Sequence, residues 1–369
     1  MLQSLITDTY RQMINDISVD RDIPKEKIRE IADGRIFTSR QAIELGLIDE
    51  IGYQKDAVKK GVALIGRKDE DARLVPPEQF ISQTPDEALS GVFNRIAVIE
   101  VDGEITTGEN TQNILFGGRT VGSDTVVREI EKAMADPYVK AILVRINSPG
   151  GSPVGSAHVY SKLREARNKG KTVVASMGNL AASGGYYIAA GADKIVADPS
   201  TLTGSIGVIG NIPVLAELYK KLGITHDVYK EGEHADMFSG IRKFSPAEKD
   251  AIYALLEESY KDFVDSVALG RNMPTSEVEA VAEGRVYTGN QAKNLNLVDE
   301  LGGFSDAVDI CVSMSKIRGE PQLVFYRRSA SFLYQLGAAA GTLLGLPNNF
   351  WQFFGSTGRN EITEYRLRW

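Results

Sequence analysis

Residues 141–187 read AILVRINSPGGSPVGSAHVYSKLREARNKGKTVVASMGNLAASGGYY. Ala141–Ile146 is apolar except for Arg145, the composition of a strand buried on both faces. Asn147-Ser148-Pro149-Gly150-Gly151 is turn chemistry. Val154–Asn168 predicts a helix, Thr172–Met177 a second strand, and Ser183 the start of a short helix. Strand, crossover helix and strand in that order form a βαβ unit, whose strands lie parallel in one sheet. Both Gly-rich turns, Ser148–Gly151 and Ala181–Gly185, then fall at carboxyl ends of strands. That is where open parallel sheets present their chemistry.

The flanking sequence extends the pattern. Ile96–Val101 reads as a strand and Asp124–Met134 as an amphipathic helix. Lys194–Ala197 and Ile206–Ile209 read as further short strands, and His226 as the start of another. The fold class is α/β with a mainly parallel sheet. In 369 residues, 42 Lys+Arg stand against 49 Asp+Glu, a net charge of −7. That balance argues against nucleic-acid binding through a broad basic surface. The single cysteine, Cys311, excludes an intrachain disulfide framework and a cysteine-built zinc site. With three histidines, His158, His226 and His234, no metal centre and no cofactor are expected. The opening MLQSLITDTYRQMIND is too polar to read as a secretory leader.

An internal repeat sets the domain organisation. Residues 10–58 match residues 260–308 without a gap, at a constant offset of 250. Tyr10 pairs with Tyr260, Arg21 with Arg271, Pro24 with Pro274 and Asp49-Glu50 with Asp299-Glu300. Thr38-x-x-Gln41, Thr288-x-x-Gln291 and Ser245-Pro-Ala-Glu248 are capping boxes, the last opening a long helix towards Gly270. The second copy closes a module that begins near Arg95. Residues 1–66 are therefore expected to be the helical tail of a preceding module whose front is missing, with a genuine short helical domain as the alternative. Residues 67–94, with Pro76, Pro77 and Pro85, read as a linker. Residues 95–316 form the second module, and 317–369 a C-terminal extension.

Ser183 is the candidate nucleophile. A reactive serine needs room for the scissile carbonyl, which Gly184 and Gly185 would leave. A helix N-terminus there would favour developing negative charge. Gly150 and Gly151 offer backbone N–H groups at the neighbouring strand end, and two such donors could hold the oxyanion of a tetrahedral intermediate. The competing reading is that ASGG is a tight helix–sheet packing turn and PGG a plain loop.

These residues carry a family resemblance. RIAVIEVDGEI at 95–105, RINSPGGS at 145–152, MGNLAASGGYY at 177–187 and TGSIGVIG at 203–210 resemble the signal peptide peptidase A (protease IV) family. GRVYTGNQA and LVDELG, which close the module, match as well. The resemblance runs from residue 1 to about 316. It implies a ClpP/crotonase-like fold of repeated ββα units and a serine endopeptidase that uses a Ser–Lys dyad on cleaved signal peptides and other apolar peptides. By resemblance, Ser183 is the nucleophile, Gly150 and Gly151 match the oxyanion turn, and Ser205 lies near the base. A desolvated lysine loses part of its proton affinity and can accept the serine proton. The resemblance also implies a homo-oligomer, associated with the bacterial inner membrane, whose catalytic part lies outside the cytoplasm.

One position departs from the pattern. In single-module relatives the lysine stands in a K-D-x-x-S context, and this segment reads Ala235-Asp236-Met237-Phe238-Ser239. The lysine position is Ala235. In tandem relatives the first module supplies the lysine and the second the serine; subtracting 250 from 235 puts it about fifteen residues before Met1. The expectation is a chain with nucleophile and oxyanion turn but without its base. His234, Lys230 and Lys243 flank the segment and are expected on the surface. A non-catalytic peptide-binding or assembly module of the same fold is the rival reading. A crotonase-type acyl-CoA enzyme is the third, although its carboxylate catalysts have no clear counterpart.

Ser329–Gly358 carries no charge and includes Phe332, Tyr334, Phe350, Trp351, Phe353 and Phe354. Gly337, Gly341 and Gly345 recur every four residues, a spacing that suits close helix packing. A helix packed on the domain or a subunit partner, a membrane-surface or substrate-facing segment, and a spanning helix are the three readings. No segment reaches the roughly 20 apolar residues that a span requires.

Overall fold

The computed structural model describes residues 2–33, 37–52, 54–64, 66, 94–113, 118–230, 233–326 and 363–366. The linker over 67–93 and the uncharged stretch 329–358 lie outside the described residues. The chain divides into two compact units, Met1–Leu89 and Ser90–Trp369.

The first unit is helical: α1 (Leu2–Asp20), α2 (Lys25–Ile31), α3 (Ser39–Glu44) and α4 (Gln54–Leu64). Ile14, Ile23 and Ile28 form its small core, with Ile17, Ile31 and Leu47 packed against them. The Thr38–Gln41 capping box starts α3. Arg21 ties the α1 end to the later loop, donating to the Gly46 carbonyl at 2.9 Å and to both Asp49 oxygens at 3.0 Å.

The second unit begins with β1 (Arg95–Asp102), β2 (Glu104–Thr106), β3 (Thr111–Asn113) and β4 (Gly118–Gly122). There follow α5 (Ser123–Ala135), β5 (Val139–Ser148), α6 (Pro153–Asn168), β6 (Thr172–Ala182), α7 (Gly184–Ala189), β7 (Lys194–Ala197) and β8 (Leu202–Gly204). Next come α8 (Ala216–Lys221), α9 (Pro246–Arg271), α10 (Thr275–Val281), β9 (Val286–Thr288), α11 (Gly289–Asn294), β10 (Glu300–Leu301) and α12 (Phe304–Met314). The described chain closes with β11 (Gln322–Phe325) and β12 (Thr363–Arg366). The main sheet runs β10-β7-β6-β5-β1-β11-β12, with β8 and β9 attached to the end of β6. Its long central pairs are parallel, as the βαβ reading requires. The fold is thus mixed α/β with a largely parallel sheet.

The apolar runs are continuous because both faces are covered. Ala97, Ile99, Ile142, Val144 and Ile146 point into the core shared with α5, α6, α7 and α9. Ile96, Val98, Ala141 and Leu143 point the other way, onto Ala307, Val308 and Cys311 of α12. Ile317, Leu323 and Phe325 join this second core, so the sheet takes in residues that the sequence reading places in the C-terminal extension.

Three local expectations are corrected. Ile206–Ile209 is not a strand; the strand is Leu202–Gly204, and Ser205 at φ +51° ends it. Ile206 is buried as a loop residue and Ile209 is 93% exposed, so their apolar character reflects no pleated alternation. His226 starts no strand: 224–230 have no strand partner among the described residues, and the His226 ring packs edge-on against Tyr219 at 4.7 Å. Strand β6 runs on to Ala182, past the expected end at Met177, because it exchanges partners. Val174–Ser176 pair with β7, and Leu180–Ala182 with β8. Thr201 Oγ1 and Thr203 Oγ1 donate to the Gly178 and Ala181 carbonyls, both at 2.7 Å, and hold that exchange in place.

Candidate active site

The exchange of partners delivers Ser183. Its N–H donates to the Gly204 carbonyl at 2.9 Å, and its own carbonyl accepts from Tyr187 N–H at 2.9 Å to open α7. Between these bonds the backbone turns sharply, with Ser183 at φ +51°, ψ −121°. A non-glycine residue pays of order 1–3 kcal/mol for such a conformation, which persists only where surrounding contacts over-determine it. A sharp strand-to-helix turn of this kind presents a side chain at the end of the sheet.

The contacts that hold the turn are visible. Tyr186, fully buried, donates to the Leu297 carbonyl at 2.8 Å. Tyr187 stacks on Phe263 at 4.5 Å, and its hydroxyl lies 3.0 Å from Ser266 Oγ. Burial pushes both phenols above their ordinary range, so they stay neutral hydrogen-bonding groups.

The turn Ser148–Gly151 lies against this element. A Cβ built on Gly150 would sit 2.7 Å from Ser183 Cβ and Gly184 N and 3.0 Å from Ser183 Oγ. Gly150 has φ +107° and Gly151 φ +144°, both outside the range of ordinary L residues. A Cβ on Gly151 would collide with the Ile105 carbonyl, because Ile105 bridges this turn. Ile105 N–H donates to the Gly150 carbonyl and Ser152 N–H to the Ile105 carbonyl, each at 2.8 Å. A Cβ on Gly184 would collide with Ser156 Oγ of α6, and one on Gly185 would lie 2.9 Å from the Ser148 carbonyl. Close packing thus explains the glycines after the serine, as the packing reading of ASGG held, and it fixes the turn as well.

The same packing sorts the amide donors. Gly150 N–H is already engaged, donating to buried Ser148 Oγ at 3.1 Å. Among the described residues, neither Gly151 N–H nor Gly184 N–H has an acceptor. The two groups are close: a Cβ on Gly184 would lie 3.4 Å from Gly151 N. Of the pair expected to be free, Gly150 N–H is thus bonded and Gly151 N–H is open, with Gly184 N–H open beside it. Ser148 and Ser156 join the site beyond the residues that the sequence singles out. The Ser-x-Gly spacing of a serine turn signals the first. Nothing in the sequence signals the second.

Ser205 lies one residue beyond Gly204, which binds Ser183 N–H, and is itself at φ +51° with its N–H on the Arg285 carbonyl at 2.7 Å. Ser183, Gly150, Gly151 and Ser205 are therefore brought together. The side chains around the expected lysine position are exposed or held by other partners. Ala235 is exposed. His234 Nδ1 lies 3.1 Å from Glu248, and Lys230 donates to Asp236 at 2.7 Å. Arg242 binds Asp236 and Glu248 together, holding both carboxyls well below their usual range. This cluster anchors the start of α9. Lys243 is exposed, and His158 on α6 lies 3.8 Å from Asp124. Among the described residues no group of side chains suits a metal ion, and no helix is long and apolar enough to cross a membrane.

The model of peptidase family S49 matches residues 1–66 and 165–317, which include Ser183 and Ser205. Protease 4 of Haemophilus influenzae is 33% identical over 321 residues, 84% of this chain and 51% of the relative. A protein of Enterococcus faecium described as a signal peptide peptidase is 34% identical over 285 residues, 77% of this chain and 79% of the relative. The chloroplastic serine protease SPPA of Arabidopsis thaliana is 30% identical over 320 residues, 86% of this chain and 47% of the relative. The chain spans about half the length of the first and third of these.

Proposed function

The chain belongs to peptidase family S49, and on that premise we propose that it is the serine-bearing part of a serine peptidase, with Ser183 as nucleophile. Ser183 Oγ attacks the scissile carbonyl, and the oxyanion that forms accepts from the N–H groups of Gly151 and Gly184. Loss of one such donor typically raises the barrier by about 3–4 kcal/mol. The observation that carries this reading is the meeting of a strained serine at φ +51° with two unengaged amides of adjacent turns. Ser148 holds the Gly150 amide, so that Gly151 presents its own.

The proton leaves Ser183 for a lysine that does not stand at Ala235. In this reading the lysine comes from a preceding module, completing a Ser–Lys dyad, and Ser205 orients it. The substrates are peptides, cleaved signal peptides and other apolar peptides above all, and the assembly is a homo-oligomer at a membrane surface. Large apolar side chains left in solvent support such contacts: Leu222 (63%), Tyr229 (94%) and Phe238 (66%) lie beyond the serine turn. Residues 329–358 are a further candidate for the membrane contact. Ala235 also favours a second reading, a non-catalytic peptide-binding module.

Labelling with a fluorophosphonate separates these. The isolated chain should label weakly, and addition of a segment carrying the preceding module's lysine should raise the rate. Strong labelling of the isolated chain refutes the external base. Equal labelling of Ser183→Ala with the segment present refutes Ser183 as nucleophile.

A further inference from the structure

A cleft of about 390 Å³ opens where β6 leaves β7 for β8, and Ser183 is not among its lining residues. Arg145 of β5, Gly178 and Asn179 of β6, and Asp198, Ser200 and Thr201 between β7 and β8 line it. Clefts outside the carboxyl ends of sheet strands are the usual ligand sites of such folds.

Its charges are the unusual part. Arg145 stands in register between Glu100 and Ser176, on the face covered by α12, with Cζ 6.0 Å from the Phe304 ring. Nη1 donates to Ser176 Oγ and the Met177 carbonyl, each at 2.8 Å. Nε and Nη2 have no acceptor among the described residues, and no described carboxylate comes within ion-pair distance. Glu100, across the β1–β5 pair, favours the charge from beyond ion-pair distance, and a half-buried guanidinium held this way gives up hydration without a direct carboxylate contact. Across the same cleft Asp198 is exposed, takes the Ser200 N–H at 2.8 Å, and pairs with no described cation. Elsewhere in this unit Arg95, Arg167 and Arg271 are joined to carboxylates at 3.2, 2.6 and 2.7 Å. Here a cation and an anion line one cleft without meeting.

We infer that this cleft binds a small zwitterion of dipeptide size, its carboxylate on the open edge of Arg145 and its ammonium on Asp198. A single anion would meet Asp198 unfavourably and a single cation would meet Arg145, whereas a free amino-terminal and carboxyl-terminal pair answers both charges. The volume lies at the low end for small-molecule sites and suits a dipeptide. Asn179, exposed, also lines the cleft and supplies an amide that can bond a peptide group. The inference does not rest on Ser183 as nucleophile, and its test involves no turnover.

Calorimetric titration of the full chain with alanyl-alanine tests it, against the C-terminal amide and the N-acetyl form of the same dipeptide. Saturable binding of the free dipeptide is expected. Each blocked form, Arg145→Gln and Asp198→Asn should weaken it about tenfold or more. Because Arg145 also holds β6, the exposed Asp198→Asn is the variant that remains informative if Arg145→Gln misfolds. No heat up to about 10 mM dipeptide, or equal binding of the blocked forms or of Asp198→Asn, overturns the inference.

Discussion

Gly184→Ala puts a methyl group where Ser156 Oγ already stands. Ser156 is fully buried and its hydroxyl donates to the Ser152 carbonyl at 2.9 Å, so it has no free space to turn into. The next neighbours, Gly150 Cα at 3.3 Å and Gly151 N at 3.4 Å, are backbone atoms that could yield by a few tenths of an ångström. The collision is therefore with one hydroxyl. Overpacking of this kind costs about 1–3 kcal/mol. Ser156→Ala removes the obstacle and loses one hydrogen bond, about 1 kcal/mol. The Ser152 carbonyl is not orphaned, because it keeps the Ser156 N–H at 3.0 Å. The double variant should thus be little worse than Ser156→Ala alone, with a favourable coupling of about 1–2 kcal/mol. Urea unfolding of the four proteins, followed by circular dichroism, measures it. Gly184→Ala should lower the midpoint by roughly 0.5–1 M, and the added Ser156→Ala should recover most of that. Additive losses would refute the argument, because they would place the cost in the α7 backbone and not in the Ser156 contact.

Asp299 and Asp49 occupy equivalent repeat positions with different surroundings. Burial pushes the Asp299 carboxyl up, but its bond to Arg271 at 2.7 Å, with Ile195 N–H and Lys194, carries it below its ordinary value. Asp299→Ala should destabilise the second unit by about 2–4 kcal/mol, seen by urea unfolding; Asp49→Ala, on an exposed pair, should change little. Because the Asp299 pKa is lowered on folding, its contribution is present above the unfolded aspartate value and fades as pH falls through the folded one. An acid titration of the denaturation midpoint should show that loss, and Asp299→Asn should remove it. Cys311 lies on the buried face of α12 and its thiol is pushed far up by desolvation, so a thiol reagent should leave it unmodified in the native chain and react on unfolding. With the lysine-bearing segment present, Gly150→Ala, whose Cβ at φ +107° would lie 2.7 Å from Ser183 Cβ, should lose fluorophosphonate labelling even where the chain still folds, as judged by far-ultraviolet circular dichroism.

The parallel sheet was legible in the sequence because a strand buried on both faces must be apolar at every position, as Ala141–Ile146 nearly is. The caps were legible for a similar local reason: Thr38, Ser245 and Thr288 bond an amide three residues on, whatever the rest of the chain does. Ser183 stood out by its small neighbours, and Ser205 by family resemblance. Short strands failed where apolar residues served another end, as with Ile206 in its buried loop.

What the sequence determined by itself was local: periodicity, capping, turn chemistry and a repeat at one offset. Only the tertiary structure decided which amides near Ser183 are unengaged. That depends on Ser148 taking one of them, and on Ile105 and Ser156 arriving from elements distant in the chain. The same holds for burial. Arg21–Asp49 and Arg271–Asp299 are one pattern in the sequence, yet side-chain exposure is 27% and 81% in the first pair and 7% and 15% in the second. Each copy joins an arginine to an aspartate, and only Asp299 gains Ile195 N–H and Lys194 as further partners. The difference lies in the packing around the second pair, where the parallel sheet of its own unit covers it, and no window of sequence contains that.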